Sequence, residues 1–249
     1  AALAVLEDKD LVHGPIEALF TIDEETGMTG AFGLKAGELD GDILLNLDSE
    51  TEGELYVGCA GGIDATIRFD FKKEAMPAGY AAYELSVKGM KGGHSGMDII
   101  LGRGNANKTL FRILKALEAV DVRLGNINGG SLRNAIPREA FCTIAVPTDK
   151  AQEAMNIVKE LEAVVKSELS AVEPDLVITM TEASSCEFVM DTDAAKRVVR
   201  AIYACPNGVY RMSDSMENLV ETSSNLAIVK TDGEQILACA LLRSSVDTA

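Results

Sequence analysis

Three adjacent acids, Asp23-Glu24-Glu25, follow an apolar run and precede Thr26-Gly27. Neighbouring carboxylates repel one another, and each resists leaving water. Such a triplet is either a solvated turn or one wall of a cation site. A second acidic stretch, Asp48-Ser49-Glu50, closes another apolar run; from position 25 to position 48 is 23 residues. That separation suits a single helical crossover, which would set Asp48 beside Glu25 as two hard-oxygen ligands for a divalent metal. Histidine limits this reading. The chain holds only His13 and His94, whereas a catalytic zinc centre normally includes an imidazole. His13 precedes Gly14-Pro15 and reads as structural or exposed, so the metal site of Glu25 and Asp48 is one this chain does not complete.

His94 sits in the segment KGGHSG. Glycines on both sides allow backbone conformations closed to other residues and a close approach to a ligand. The imidazole is either polar surface or a donor to a developing oxyanion. In GNANK, Asn105 or Asn107 suits the N-cap of the helix that follows. Asn134, within LRNAIPR, is a turn residue or a ligand contact. Arg243, after Leu241-Leu242, is a surface arginine at a strand end or a carboxylate clamp, because a guanidinium forks onto a carboxylate.

These residues need elements to hold them. The runs IEALFTI (16–22) and DILLNL (42–47) are continuously apolar and end in acids, as buried parallel strands do. A brief glycine-punctuated helix between them, within 27–34, would complete a βαβ unit with its acids at the carboxyl edge. Beyond GCAGG (58–62) the pattern changes to strict alternation at Ala65, Ile67, Phe69 and Phe71 and at Tyr83, Leu85 and Val87. Alternation predicts antiparallel strands with one wet face. Helical spacing appears at 110–117 and 154–165, and further strand-like runs at 141–146, 176–181, 226–229 and 236–242. The expected fold is an α/β portion followed, from about residue 61, by an α+β domain with an antiparallel sheet and helices on one face.

Composition narrows the partners. With 249 residues and 47% hydrophobic content, the chain is long and apolar enough for one or two packed domains. Lys and Arg number 23 against 39 Asp and Glu, a net charge of −16. That balance argues against nucleic acid and an anionic membrane as partners. No apolar run approaches the roughly 20 residues of a bilayer span. Five scattered cysteines without a CxxC motif suit reduced thiols in the cytoplasm. Residues 1–11 read as the last turns of an amphipathic helix, and the chain as an internal portion of a longer protein.

The segments TIDEETGMTGAFGL, LLNLDSETEGELYVGCAGGID, VKGMKGGHSGMDI, GRGNANK, GGSLRNAIPREAF and CPNGVYRMSD together resemble the bacterial aminoacyl-histidine (Xaa-His) dipeptidases. These belong to the superfamily that includes aminoacylase and carboxypeptidase G. The resemblance runs through essentially the whole chain. It implies residues 1–60 as the last part of a first catalytic-domain segment and 61–249 as a lid or dimerisation domain, incomplete at its C-terminal end. It also implies a cytoplasmic enzyme, a homodimer through the lid, that cleaves small dipeptides with two Zn2+ ions and an activated water. On that resemblance Glu24 matches the general base, Glu25 and Asp48 match ligands to the two zinc ions, and His94 matches the lid histidine that steadies the oxyanion. Asn134 and Arg243 fall in segments that hold substrate. The family's HxD ligand segment, its bridging aspartate and its last histidine ligand have no counterpart in these 249 residues. The chain by itself is therefore expected to bind two zinc ions poorly and to turn over little dipeptide. A non-catalytic lid fragment, and a relative with aminoacylase or carboxypeptidase specificity, are the alternatives.

Overall fold

The computed structural model describes residues 2–48, 52–56 and 58–248, and the side chains of residues 25 and 26 also lie outside the described set. The chain divides into two compact units, Ala1–Gly58 and Cys59–Ala249.

In the first unit the regular elements among the described residues are three short helices, α1 (Ala2–Glu7), α2 (Glu24–Gly27) and α3 (Thr29–Phe32). The brief helix expected within 27–34 is α3. The strands expected at 16–22 and 42–47 are not formed, and neither run joins a ladder. Phe20, Ile22, Ile43 and Leu44 are 70%, 70%, 83% and 79% exposed. The physical reason is that a continuously apolar strand is stable only where neighbours pair its backbone groups and layers cover both its faces. A unit this small buries too little surface to supply either. Local hydrogen bonds shape the backbone instead. Glu17 Oε2 accepts from the amides of Asp40 and Gly41, both at 2.9 Å. Asp23 turns the chain in the left-handed region at φ 58° and accepts from Thr29 Oγ1 at 2.6 Å, so Glu24 opens α2.

The second unit carries β1 (Gly61–Asp70), β2 (Lys73–Glu74), β3 (Tyr80–Lys88), β4 (Gly93–His94), α4 (Ala106–Leu117), β5 (Arg123–Gly129), β6 (Ala135–Ile136) and β7 (Ala140–Pro147). It continues with α5 (Ala151–Glu168), β8 (Val177–Glu182), β9 (Val189–Met190), α6 (Thr192–Ala204), β10 (Gly208–Met212), β11 (Val220–Asp232) and β12 (Gln235–Ser244). Eight strands make one antiparallel sheet in the order β1-β12-β11-β5-β7-β3-β8, with β10 added to β11. Two small ladders, β2 with β9 and β4 with β6, stand apart from it. The chain as a whole is mixed α/β, with its antiparallel sheet and covering helices in this unit.

The core follows from periodicity. Along β3, Tyr83, Leu85 and Val87 point to one face and join Leu110, Phe111, Ile113, Leu114 and Leu117 of α4 in the main cluster. Burying each such side chain stabilises the fold by about 2 kcal/mol. The alternate residues face away: Ala82 belongs to a separate small cluster with Cys186 and Val189, and Ser86 hydrogen-bonds Thr179 at 2.8 Å. Asn105 caps α4, its Oδ1 accepting from the Lys108 amide at 3.1 Å. Asn107 is buried, and its Nδ2 donates to carbonyls of Gly129, Leu226 and Ala227. That contact faces the β11 bulge between Leu226 and Ile228, where the ladder leaves carbonyls to satisfy.

Helix α6 buries Ala194, Ala195, Val198, Val199 and Ile202 at helical spacing, and Asp191 caps it. Asp191 Oδ1 accepts from the Ala194 amide at 3.0 Å, and Oδ2 from the Lys72 amide at 2.8 Å. The two amides, Lys72 first, hold the Asp191 carboxyl below its ordinary value. Because the folded value lies below the unfolded one, this contribution is present above about pH 4 and is lost as pH falls through the folded value. Asp191→Ala should therefore cost about 1–2 kcal/mol at neutral pH. In denaturant titrations the gap from the parent should close as the pH drops below that window.

Candidate functional site

His94 ends the β4 strand, which pairs with β6 so that His94 lies opposite Ala135. The next residue, Ser95, donates its amide to the Asn134 carbonyl at 2.8 Å. His94 thus ends one strand of this small ladder, and Asn134 is the turn residue just before the other. The backbone around His94 is tightly held. Its amide donates to Asp98 Oδ2 at 2.8 Å, and its carbonyl accepts from the Asp98 amide at 2.9 Å. Arg103 donates to the Gly92 carbonyl at 2.5 Å and stands 3.7 Å from the Asp98 carboxylate. Gly92 (φ 66°) and Gly93 (φ 143°) are required here. A Cβ at Gly92 would strike Arg138, and one at Gly93 would sit 2.5 Å from Asp98 Oδ2.

The imidazole is oriented by its own turn. Nδ1 of His94 accepts from the amides of Gly96 at 3.2 Å and Met97 at 3.1 Å. A ring nitrogen that accepts two amides carries no proton, so the neutral ring has its hydrogen on Nε2 and presents a donor there.

Glu173, in the turn that follows α5, supports this loop. It is 2% exposed, and its two oxygens accept from the Lys91 amide at 2.7 Å and the Gly104 amide at 2.9 Å. Removing the carboxylate strands one buried and one partly buried donor, the buried one alone costing about 1–3 kcal/mol. Glu173→Ala should destabilise the second unit by about 3 kcal/mol, read as a lowered denaturant midpoint at an unchanged slope. Asn225 braces the partner strand, its Nδ2 donating to the Ala135 carbonyl at 2.8 Å. In turn it accepts from Asn105 at 3.3 Å.

Arg243 lies on β12, between Gly62 of β1 and Ser223 of β11. A point 3.2 Å from its Cζ, where a Cβ on Gly96 would stand, is also 3.2 Å from His94 Cε1. The guanidinium carbon and the ring edge are thus no more than twice that distance apart. Burial and the like charge of Arg133 push the Arg243 guanidinium below its ordinary value, with Asp64 opposing. It remains a cation at any physiological pH. Arg133 itself pairs with Asp64 at 2.7 Å. The structure therefore brings three of the sequence-predicted residues, His94, Asn134 and Arg243, into one region of the second unit. Sequence reasoning passed over Asp98, Glu173 and Asn225, whose only signal was being polar where the pattern turns inward.

Glu24 and Asp48 belong to the first unit, where both are exposed. The side chain of Glu25 lies outside the described residues, as do Ser49 and Glu50. His13 is exposed, its Nδ1 meeting the Gly14 carbonyl at 2.7 Å. Among the described residues no three His, Cys, Asp or Glu side chains converge as a metal site.

Residues 85–173, from within β3 to just beyond α5, match the family described as the peptidase dimerisation domain. That segment, within an α+β unit, is in class a peptidase dimerisation domain. Over all 249 residues the chain is 46% identical to the cytosol non-specific dipeptidase of Escherichia coli (strain K12), covering 51% of that protein. The crystal structure of aminoacylhistidine dipeptidase from Vibrio alginolyticus superposes with a TM-score of 0.80 at 50% identity, over 99% of this chain and 51% of that one. A further relative, the N-acetyl-L-cysteine deacetylase of Bacillus subtilis (strain 168), is 29% identical over 181 residues, 69% of this chain and 40% of that protein. Over its whole length the chain is similar to these dipeptidases, and it spans about half the length of the relatives it matches.

Proposed function

We propose that this chain supplies part of the active site of a metal-dependent dipeptidase acting on Xaa-His dipeptides. The observation that carries the reading is the convergence on Gly96 of a neutral imidazole donor and a half-buried guanidinium. A dipeptide offers one group for each, a scissile carbonyl and a terminal carboxylate. Arg243 would fork onto the carboxylate, with Asn134 adding a polar contact. His94 Nε2–H would donate to the carbonyl oxygen as negative charge builds there. Glu24 would take a proton from the attacking water and deliver it to the departing amine, so that a C–O bond forms as the C–N bond breaks. Zn2+ is the proposed cofactor, two ions per complete site, with Glu25 and Asp48 giving one ligand each; such ions make bound water acidic and polarise a carbonyl.

Residues 1–60 are read as catalytic-domain chain and 61–249 as the lid, through which the protein forms a homodimer. The dimerisation-domain match supports that partner. A cytoplasmic setting is proposed with it, since the five cysteines are free thiols and, among the described residues, no helix is long and apolar enough to cross a membrane. The second reading, a lid module without catalysis, draws on the same dimerisation match. One assay separates the two. The full-length protein, incubated with alanyl-histidine, should release histidine, lose that activity on chelation and regain it with Zn2+. No release above a blank in the presence of Zn2+ would leave the lid reading standing.

A further inference from the structure

We infer that Asn225 is a positioning residue for the proposed reaction, setting where the His94 ladder stands against the main sheet. The inference rests on the oxyanion role proposed for His94 and names what holds that residue in place. The β4–β6 ladder is two residue pairs long and stands apart from the eight-stranded sheet. A two-stranded ladder alone is marginal at best, so its place depends on what ties it to larger elements. Asn225 reaches it from β11. Its Nδ2 donates at 2.8 Å to the carbonyl of Ala135, the residue paired with His94. Ser223 and Asn225 lie two apart on β11 and so share a face, and Ser223 is opposite Arg243 of β12. The face that carries Arg243 is therefore the one Asn225 ties to the His94 ladder. The amide is itself aimed, because its Oδ1 accepts from Asn105 Nδ2 at 3.3 Å, which leaves Nδ2 toward Ala135. Asn105 in turn caps α4 and donates to Asn207 Oδ1 at 2.9 Å and to the Leu226 carbonyl at 3.0 Å. One chain of side-chain amides thus joins α4, β11 and the His94 ladder. Asn225 is 1% exposed, so it acts through His94 and not on substrate. At that depth an unpaired donor is costly, and the cost keeps the link to Ala135 closed.

The test is a double-mutant cycle on the full-length, Zn2+-loaded protein with alanyl-histidine, rates being expressed per mole of folded protein. Asn225→Ala leaves Asn105 its Asn207 and Leu226 acceptors, so α4 keeps its cap and the change falls on the Ala135 link. It should lower kcat about tenfold with KM within about twofold of the wild type, because a displaced donor weakens the contact made as charge builds. In a His94→Asn background, where the Nε2 donor is already gone, the same substitution should alter kcat by less than about twofold. A merely structural role would lower both backgrounds alike. Asn225→Ser, whose hydroxyl is too short to span to Ala135, should give the same pattern and serves if alanine yields no folded protein. Equal losses in the two backgrounds, an unchanged kcat in Asn225→Ala, or a rise in KM alone overturns the inference while the His94 assignment stands. A His94→Asn protein with the wild-type kcat overturns both, and that result is visible before Asn225 is replaced.

Discussion

Glu24→Gln is expected to lower kcat for alanyl-histidine about 10³-fold, with the thermal midpoint unchanged. Glutamine keeps the size and the polarity of the side chain but cannot take up a proton, and a positioned base contributes about 10²–10⁴-fold. Stability should not move, because Glu24 is exposed at the start of α2 and its replacement leaves no buried donor unpaired. Bound Zn2+, measured by elemental analysis, should also be unchanged, since Glu24 is read as the base and Glu25 as the ligand. A Glu24→Gln protein retaining a tenth or more of the parent rate would remove Glu24 from the mechanism. One that lost its metal along with its rate would exchange the roles of the two glutamates.

The second large effect is expected at His94, and the choice of replacement matters. Alanine would remove both the Nε2 donor and the Nδ1 acceptor that holds the Gly96 and Met97 amides. Asparagine places a carbonyl oxygen near the position of Nδ1, so both amides keep a partner and the turn survives. The Nε2 donor is lost. His94→Asn should therefore reduce kcat by about 10²–10³-fold, the usual loss on removing one oxyanion donor. KM should change little, because the contact strengthens as charge develops rather than on binding. If KM rises instead and kcat holds, His94 binds ground-state substrate and the oxyanion role is wrong. His94→Ala should show the same defect plus a loss of stability from the two released amides.

The strands of the second unit were legible because alternation survives wherever one face of a sheet is covered and the other is not. Tyr83, Leu85 and Val87 announced β3, and Ile236 to Leu242 announced β12. Helix α4 could be read for the analogous reason, with Leu110, Ile113, Leu114 and Leu117 facing the core at helical spacing. The first unit misled because composition reports how apolar a run is and not whether a partner exists. Residues 16–22 and 42–47 have the makeup of buried strands, yet among the described residues they find no ladder and stay exposed. Helix α6 carries the same helical spacing, with Ala194, Ala195, Val198, Val199 and Ile202 buried, so it was equally open to reading and was passed over. The cap that starts it is an Asp191 shared with the distant Lys72 amide.

By itself the sequence determined the chemical types available and the family. The acids after two apolar runs, one histidine among glycines and a late arginine are facts of local order, and the dipeptidase likeness rests on contiguous segments. Only the tertiary structure decided that His94 and Arg243, 149 positions apart in the chain, share the space beside Gly96. It also decided that the imidazole turns its Nδ1 acceptor onto the amides of Gly96 and Met97. The reason is geometric. Register across β12, β1 and the small β4–β6 ladder sets which side chains meet, and that register depends on pairings between remote strands. No local pattern encodes them.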